Sequence, residues 1–245
     1  MYPVIILCGG RGTRLGSITD TIPKPMVRIG DEPLVIHIIK RFLKFGFSDF
    51  ILATGYKHEE IEKQFYDFRR GYWIPIRQSY WQHAFVECIY TGDNTQTGER
   101  LRQAWQARDA DKVIMTYGDG LADIDIFSLT KFHSLNDGLV TLTAVHPSGR
   151  FGALKLDQTR VISFKEKGEQ LRDTWVNGGF MVIDKAALDY IHGDEMWEHD
   201  PCERLAKDGK LFAFKHEGFF WGMDTSRDLE YLNELWTEGN APWMK

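Results

Sequence analysis

A glycine-rich loop near the start of the 245-residue chain carries residue types that bind phosphate. It follows an apolar run at residues 4–7 and reads Cys8-Gly9-Gly10-Arg11-Gly12-Thr13-Arg14. Glycines let a backbone approach phosphate closely, and successive N–H groups can form an anion-binding concavity. Thr13 adds a hydroxyl donor, and Arg14 adds a fixed charge whose planar fork suits phosphate. The loop is therefore a candidate phosphate site, with a tight structural turn as the alternative.

Two well-known phosphate loops do not match this sequence. The dinucleotide fingerprint requires a third glycine, and Leu15 stands at that position. The Walker loop requires Gly-Lys-Ser or Gly-Lys-Thr, which the chain lacks here. The continuation is more informative, because Lys24 follows between Pro23 and Pro25. We expect these prolines to keep the backbone extended on both sides and to present Lys24 from a stiff segment.

Two aspartates occur where strands or helices are expected to end or begin. Asp119 comes directly after an apolar run at residues 113–116, and Asp224 precedes the last expected helix. Magnesium binds through one or two carboxylates together with phosphate oxygens. Each aspartate also has an ordinary structural interpretation, an Asp-Gly turn for Asp119 and a helix N-cap for Asp224. Thr225 or Ser226 could cap that helix instead.

The elements that must position these residues alternate between strand and helix in the first half of the chain. Continuous apolar runs predict buried parallel strands, and apolar residues at helical spacing predict helices. The expected strands are residues 4–7, 50–53, 113–116, 139–145, 153–156, 161–164, 179–183 and 211–214. The expected helices are residues 33–45, 58–65, 98–107, 124–135 and 227–236. Residues 66–90 show no clear period.

This order predicts an α/β fold formed by a single Rossmann-like domain over residues 1–245. A mostly parallel mixed sheet is flanked by helices, and a small strand-rich part is expected to bind the acceptor substrate. Residues 1–120 are expected to be mainly nucleotide-binding and residues 121–245 mainly acceptor-binding. Ligands of such sheets bind at the carboxyl ends of the strands, where the glycine loop lies.

Composition excludes several classes of function. A formal net charge of -5 leaves no general basic surface for nucleic acid. The three cysteines are too few and too scattered for a disulfide framework or a zinc site, and we expect each to be a small buried hydrophobe. No apolar run is long enough for a membrane span, and no targeting segment is visible. We therefore expect a cytoplasmic protein without nucleic-acid or membrane partners.

Residues 7–15, which read Leu-x-Gly-Gly-x-Gly-Thr-Arg-Leu, and residues 23–26, which read Pro-Lys-Pro-Met, together resemble the signature of the sugar-phosphate nucleotidyltransferases. Within that family the chain is most similar to the glucose-1-phosphate cytidylyltransferases. The matching motifs lie at residues 91–101, 116–123, 149–154, 166–167, 177–180, 223–225 and 241–243.

The resemblance implies a role for each group of site residues. Catalytic roles fall to Arg14 and Lys24, and Mg²⁺ is implied as the cofactor, held by Asp119 and Asp224. The implied nucleotide-binding residues are Leu7, Cys8, Gly9, Gly10, Arg11, Gly12, Thr13, Thr95, Arg100 and Gly118. The implied acceptor-binding residues are Gly152, Glu166, Lys167, Asn177 and Gly178. The loop with Thr95 and Arg100 is expected to close over the base, and Arg100 can donate to O2 of cytosine.

The implied activity is that of an enzyme, a cytidylyltransferase that couples CTP to a phosphorylated small molecule and releases pyrophosphate. Glucose 1-phosphate is the expected acceptor, in nucleotide-sugar and polysaccharide biosynthesis, and a homo-oligomer is expected. Three departures stand out: Cys8 replaces an alanine, residues 66–90 are shorter than in the family, and the usual Glu-Lys-Pro reads Glu166-Lys167-Gly168 before an unfamiliar stretch at 169–175. A different sugar phosphate or a non-sugar phosphate therefore stays open as the acceptor.

Two rival functions also stay open. A glycosyltransferase would use a nucleotide sugar as donor and release no pyrophosphate, but its usual Asp-x-Asp is absent at residues 118–120. A non-catalytic regulatory subunit would bind nucleotide without chemistry. Such chains tend to lose the arginine or lysine of the signature, whereas Arg14 and Lys24 both remain here.

Overall fold

The computed structural model describes residues 2–67, 72–73, 84–147, 153–157, 160–165 and 174–245. The strands are β1 (Val4–Cys8), β2 (Arg28–Ile29), β3 (Glu32–Pro33), β4 (Asp49–Thr54), β5 (Tyr66–Asp67), β6 (Tyr72–Trp73), β7 (Phe85–Tyr90), β8 (Lys112–Tyr117), β9 (Gly120–Ala122), β10 (Val140–Val145), β11 (Ala153–Asp157), β12 (Arg160–Lys165), β13 (Val176–Asn177), β14 (Met181–Asp184), β15 (Leu211–His216) and β16 (Phe220–Gly222). The helices are α1 (Leu34–Lys44), α2 (His58–Phe65), α3 (Thr97–Trp105), α4 (Ile126–Ser134), α5 (Asp200–Lys207) and α6 (Ser226–Thr237). Short 3₁₀ helices occupy Thr13–Ile18, Lys24–Met26, Lys185–Tyr190 and Pro242–Met244.

A mixed, mostly parallel sheet forms the centre of the fold. Its order runs β7, β4, β1, β8, β14 and β10, and β15 pairs with the far side of β10. The pairs from β7 to β8 are all parallel, and β14 runs antiparallel to both of its neighbours. This arrangement confirms the predicted α/β fold with a mostly parallel mixed sheet.

Strand β1 lies in the middle of this sheet and is buried on both faces. Val4 and Ile6 pack into one core cluster with α1, while Ile5 and Leu7 pack into a second cluster with α3. Alternate side chains of a strand point to opposite faces, so a strand between two helical layers must be apolar throughout. The chain leaves β1 toward β4 and β7 and then returns to β8 on the other side of β1. Ligands of open α/β sheets bind at such a switch point.

Helix α1 illustrates how the sequence sets element boundaries. It begins directly after Pro33, which can precede a helix because its missing N–H is not needed there. It ends just before Gly46, whose φ of 78° suits the turn that follows a helix. The helices expected at residues 58–65, 98–107, 124–135 and 227–236 are also present, with ends that differ by one or two residues.

Several elements were missed at the sequence level, among them the short strands β9 and β16 and two longer elements, β7 and α5. Strand β7 lies in the segment expected to have no period, and it forms the edge of the sheet with only one buried face. Helix α5 is only eight residues long and buries only Pro201 and Leu205, so its apolar face is too short to stand out in the sequence. Both elements depend on tertiary contacts more than on their own pattern. Within the described parts of the chain, no helix is long and apolar enough to cross a membrane.

Leu52 in β4 provides a test of the core. Its side chain is fully buried beside β1, so Leu52→Ala leaves a cavity and lowers the free energy of unfolding by about 2–5 kcal/mol. The matched control is Leu135→Ala, because Leu135 is 76% exposed and its truncation changes stability by less than about 0.5 kcal/mol. Urea unfolding measures both variants, and equal losses would contradict this description of the core.

Candidate active site

The glycine loop leaves the carboxyl end of β1 at the centre of the sheet. Gly9 lies against the guanidinium of Arg100, and a Cβ added at Gly9 would overlap that group. Gly12 has a φ of 64°, a conformation that favours glycine. A Cβ at Gly10 would meet nothing within 4 Å, so the loop faces open space there. Cys8 is buried beneath the loop, and burial raises the pKa of its thiol well above the usual range, which keeps the thiol neutral.

Lys24 is presented from a tight turn, which corrects the expected extended backbone. Pro23 is extended, but residues Lys24–Met26 form a 3₁₀ turn closed by the Met26 N–H donating to the Pro23 carbonyl at 2.8 Å. The turn directs the ammonium inward, and only 11% of the Lys24 side chain is exposed. Proline supports this conformation because its φ is compatible with a helical turn.

The two aspartates meet because two short strands pair. Strand β9 begins one residue after Asp119, strand β16 ends two residues before Asp224, and these strands run antiparallel with Gly120 opposite Gly222. The Met223 N–H also donates to the Asp119 carbonyl at 2.9 Å. Thr225 caps α6 by accepting from the Asp228 N–H, so the capping role does not fall to Asp224.

Lys24 joins the two carboxylates. Its Nζ lies 2.7 Å from Oδ2 of Asp119 and 2.9 Å from Oδ1 of Asp224. Burial alone would lower the pKa of Lys24, but the two neighbouring carboxylates outweigh burial and raise this pKa above its ordinary value. The ammonium is therefore charged at neutral pH. The two carboxylates already contact the same ammonium, so they lie close enough together to bind one cation jointly.

Arg14 completes the charged cluster at its outer side. Its Nη1 lies 3.1 Å from Oδ2 of Asp224. The Arg14 side chain is 74% exposed, so its remaining N–H donors are accessible to a ligand. The predicted catalytic residues Arg14 and Lys24 and the predicted metal ligands Asp119 and Asp224 thus converge at one rim of the sheet.

Arg100 lies inside the wall of the cleft, where it is almost fully buried. Its Nη1 donates to the Thr54 carbonyl at 2.7 Å and to the Thr91 hydroxyl. Its Nη2 donates to the Gly92 carbonyl at 3.0 Å and to the Thr95 carbonyl at 2.8 Å. The guanidinium therefore organises the loop that was expected to close over the base. Donation from Arg100 to the base itself stays a prediction.

These residues line one cleft of about 350 Å³. The predicted site residues on its wall are Leu7, Cys8, Gly9, Gly10, Gly12, Thr13, Arg14, Lys24, Thr95, Arg100, Gly118, Asp119 and Asp224. Arg11 lies beside the cleft, where its Nη2 donates to Asn94 Oδ1 at 3.1 Å. Pro25, Gln96, Thr97 and Tyr117 also line the cleft and were not predicted.

The predicted acceptor residues are only partly described. Asn177 lies in β13, with its Nδ2 3.5 Å from the Tyr117 hydroxyl that borders the cleft. Gly178 follows it and donates its N–H to the Thr143 carbonyl. Gly152, Glu166 and Lys167 lie outside the described residues, so their predicted roles stay predictions.

A larger cavity of about 630 Å³ lies at the far end of α3. Its wall contains the cations Arg102, Arg108 and Lys185. Each of these cations has a carboxylate partner: Glu99 for Arg102, Asp49 and Glu87 for Arg108, and Asp109 for Lys185. None of the described residues on its wall belongs to the predicted site.

Comparison with known proteins agrees with this geometry. Residues 3–228 match the family model described as nucleotidyl transferase. The chain belongs to this family. Enzymes of the nucleotidyl transferase family generally use a divalent metal ion.

Several relatives are similar over nearly their whole length. The chain is 40% identical to glucose-1-phosphate cytidylyltransferase of Salmonella typhi, covering 98% of this chain and 97% of the relative. It is 35% identical to the probable glucose-1-phosphate cytidylyltransferase of Bacillus subtilis (strain 168), covering 98% of each. Among solved structures, HddC from Yersinia pseudotuberculosis is similar with a TM-score of 0.70 and 27% identity, covering 96% of this chain and 100% of that one.

Arg100→Lys tests whether this guanidinium organises the nucleotide side of the cleft. A lysine keeps the charge but cannot reach the four acceptors in a planar fork, so buried carbonyls lose their partners. We expect the free energy of unfolding to fall by about 2–3 kcal/mol and nucleotide affinity to fall several-fold.

The matched control is Arg227→Lys, because Arg227 is exposed. Urea unfolding and equilibrium dialysis with labelled nucleotide measure the two effects. Wild-type stability and affinity in Arg100→Lys would exclude an organising role for this residue.

Proposed function

We propose that the protein is a cytidylyltransferase that joins CTP to a sugar 1-phosphate, with glucose 1-phosphate as the first candidate, and releases pyrophosphate. The observation that carries the proposal is the convergence of Arg14, Lys24, Asp119 and Asp224 below a glycine loop in one cleft. The full-length similarity to glucose-1-phosphate cytidylyltransferases supports the choice of substrates.

Magnesium is the divalent ion that we propose for this cleft. Asp119 and Asp224 would hold it, because their carboxylate oxygens already reach a common cation, the Lys24 ammonium. No cluster of three or more His, Cys, Asp or Glu suited to a metal occurs within the described ranges. Two carboxylates are nevertheless the number that Mg²⁺ uses when phosphate oxygens complete its shell. When bound, the ion supplies positive charge to the triphosphate oxygens.

The proposed reaction is an in-line displacement at the α-phosphorus of CTP. A phosphate oxygen of the acceptor forms the new P–O bond, and the bond to the β-phosphate oxygen breaks, which releases pyrophosphate. The acceptor oxygen is already ionised at neutral pH, so no general base is required. The obstacle is repulsion between two anionic reactants, and catalysis consists of positioning and charge neutralisation.

Each cation of the cleft has a place in this scheme. Arg14, with its exposed donors, binds the phosphates and stabilises the charge that develops on the leaving pyrophosphate. Lys24 steadies the α-phosphate and the incoming oxygen from the inner side of the cleft. Lys167, carried over from the family resemblance, binds the acceptor phosphate. Asp224 lies in the second half of the chain, so the proposed division into a nucleotide-binding part and an acceptor-binding part is not strict.

A different phosphorylated acceptor is the second candidate. The residues that distinguish this chain from the family, Glu166-Lys167-Gly168 and 169–175, belong to the part expected to contact the acceptor. This departure affects the choice of acceptor more than the choice of nucleotide.

A substrate panel tests the proposed function directly. Four nucleoside triphosphates are crossed with several sugar and non-sugar phosphates, and pyrophosphate release is measured in the presence of Mg²⁺. We expect release with CTP and glucose 1-phosphate together and none with CTP alone. Mass spectrometry of the product checks for CDP-glucose.

Each rival gives a different outcome in the panel. A different acceptor shifts the strongest signal to another phosphate while CTP is kept. A regulatory subunit binds CTP but releases no pyrophosphate with any pair. A glycosyltransferase also releases none, but consumes a nucleotide sugar when one is supplied.

Two alanine variants test the charged residues. Arg14→Ala and Asp224→Ala each remove one preorganised group, so kcat falls by about 10²–10³ while the protein folds normally. Asp224→Ala should also raise the Mg²⁺ concentration that gives half-maximal activity, because one of two proposed ligands is lost.

Surface residues of the same types serve as controls for these variants. Arg227→Ala and Asp109→Ala are matched in charge, since Arg227 is exposed and the Asp109 side chain is fully exposed. Both should keep wild-type turnover. A folded Asp224→Ala with wild-type kcat and Mg²⁺ dependence would remove Asp224 from the metal site.

A further inference from the structure

The carboxylate of Glu198 connects two walls of the cleft, although no sequence motif pointed to it. Its Oε1 accepts from the Tyr117 hydroxyl at 2.5 Å, and its Oε2 accepts from the Thr97 hydroxyl at 2.6 Å. Tyr117 ends β8, and Thr97 begins α3, so the two donors come from elements on different sides of the site. Both side chains line the cleft, whereas Glu198 stands behind them.

The carboxylate also sets the direction of every hydrogen bond in this group. An ionised carboxylate can only accept, so the hydroxyl protons of Tyr117 and Thr97 must both point at Glu198. Their oxygens are then left to accept: Thr97 Oγ1 accepts from the Trp197 N–H at 2.9 Å, and the Tyr117 oxygen accepts from Asn177 Nδ2 at 3.5 Å.

In the proposed reaction, one end of this hydrogen-bond network lies on the nucleotide side of the cleft and the other end lies on the acceptor side. Thr97 directly follows the loop held by Arg100, on the nucleotide side. Asn177 is one of the predicted acceptor residues, and it donates to Tyr117, which precedes Asp119 by two positions in the chain. The other polar atom of the Asn177 side chain is also hydrogen-bonded, because its Oδ1 accepts from the Gly179 N–H at 2.9 Å. The acceptor side and the nucleotide side are thus connected through a single carboxylate.

We propose that Glu198 is a positioning residue that fixes Tyr117 and Thr97 on the two walls of the cleft. It thereby holds the acceptor side of the cleft in a fixed position relative to the nucleotide side. This inference rests on the proposed function for the identity of the two ends. Positioning of this kind contributes to rate because transfer requires the attacking oxygen and the α-phosphorus to be held in line. Glu198 itself contacts no reacting atom.

Three single variants each remove or weaken hydrogen bonds of this network, and their Michaelis constants for both substrates are compared with those of wild type. Glu198→Gln keeps the size, but its NH2 group cannot accept and its neutral amide oxygen is a weaker acceptor than a carboxylate, so the links to both hydroxyl groups are lost or weakened. We expect it to raise KM for both substrates about tenfold. Tyr117→Phe removes only the acceptor-side link and should raise KM for the acceptor alone. Thr97→Val removes the nucleotide-side link, together with the acceptor of the Trp197 N–H, and should raise KM for CTP alone.

A double variant separates positioning from general destabilisation. Tyr117→Phe and Glu198→Gln break the same hydrogen bond, so the double variant should raise the acceptor KM no further than Glu198→Gln does. Tyr190→Phe is the matched control, since the Tyr190 hydroxyl donates to Asp208 at an exposed pair outside the cleft. It should leave both Michaelis constants within about twofold of wild type, a shift smaller than the tenfold effect of a charged hydrogen bond.

Three results would overturn the proposal. The first is wild-type KM values in Glu198→Gln, and the second is a lowered melting temperature with unchanged KM values. The third is additive effects in the double variant.

Failure of the proposed function gives a separate signature, since wild-type protein would then release no pyrophosphate with any substrate pair. Equilibrium dialysis with the triphosphate that binds wild type most tightly still tests the inference in that case. Thr97→Val and Glu198→Gln should weaken that binding about tenfold, and Tyr117→Phe should not. Unchanged binding in all three variants would overturn it.

Discussion

The structure of the cleft depends on the need to neutralise two neighbouring carboxylates. Asp119 and Asp224 are brought together by the pairing of β9 with β16, and like charges at short range repel unless a cation lies between them. The Lys24 ammonium satisfies both carboxylates, and Arg14 adds a second positive charge at the open side. A site arranged in this way is ready to receive a divalent cation together with a polyanionic ligand. The same balance of charge that stabilises the cleft is therefore the basis of the proposed chemistry.

Around this charge cluster, buried polar side chains organise the walls of the cleft. Arg100 donates to four acceptors of the protein, and the loop from Thr91 to Thr95 is folded around its guanidinium. Glu198 links the hydroxyl groups of Tyr117 and Thr97, which belong to two different elements of the cleft. Electrostatic catalysis requires donors that do not reorganise during the reaction, and buried networks of this kind supply that rigidity. Among the described residues of the cleft wall, Arg14 and Lys24 are the cations that we propose for phosphate binding.

Much of the fold was predictable because its central elements are strongly patterned. Strands β1, β4 and β8 are continuous apolar runs, since both faces of the sheet are covered, and α1 has clear signals at both ends. Strand β7 was missed because an edge strand with one buried face needs no continuous run of apolar residues. The predicted backbone conformation at Lys24 was wrong for another reason. A proline restricts the preceding residue statistically, but the hydrogen bonds of a 3₁₀ turn overrode that preference.

The sequence by itself determined the chemical inventory of the site and the local order of its elements. The glycine loop, Arg14, Lys24 and both aspartates were candidates from their residue types and local positions, and the family resemblance then implied their roles. Only the tertiary structure decided which of them share a contact, since Lys24 and Asp224 are 200 positions apart and meet through strand pairing. The role of Glu198 was invisible for the same reason. Its partners are distant in sequence, and no pattern of neighbouring residues records a hydrogen bond formed across the cleft.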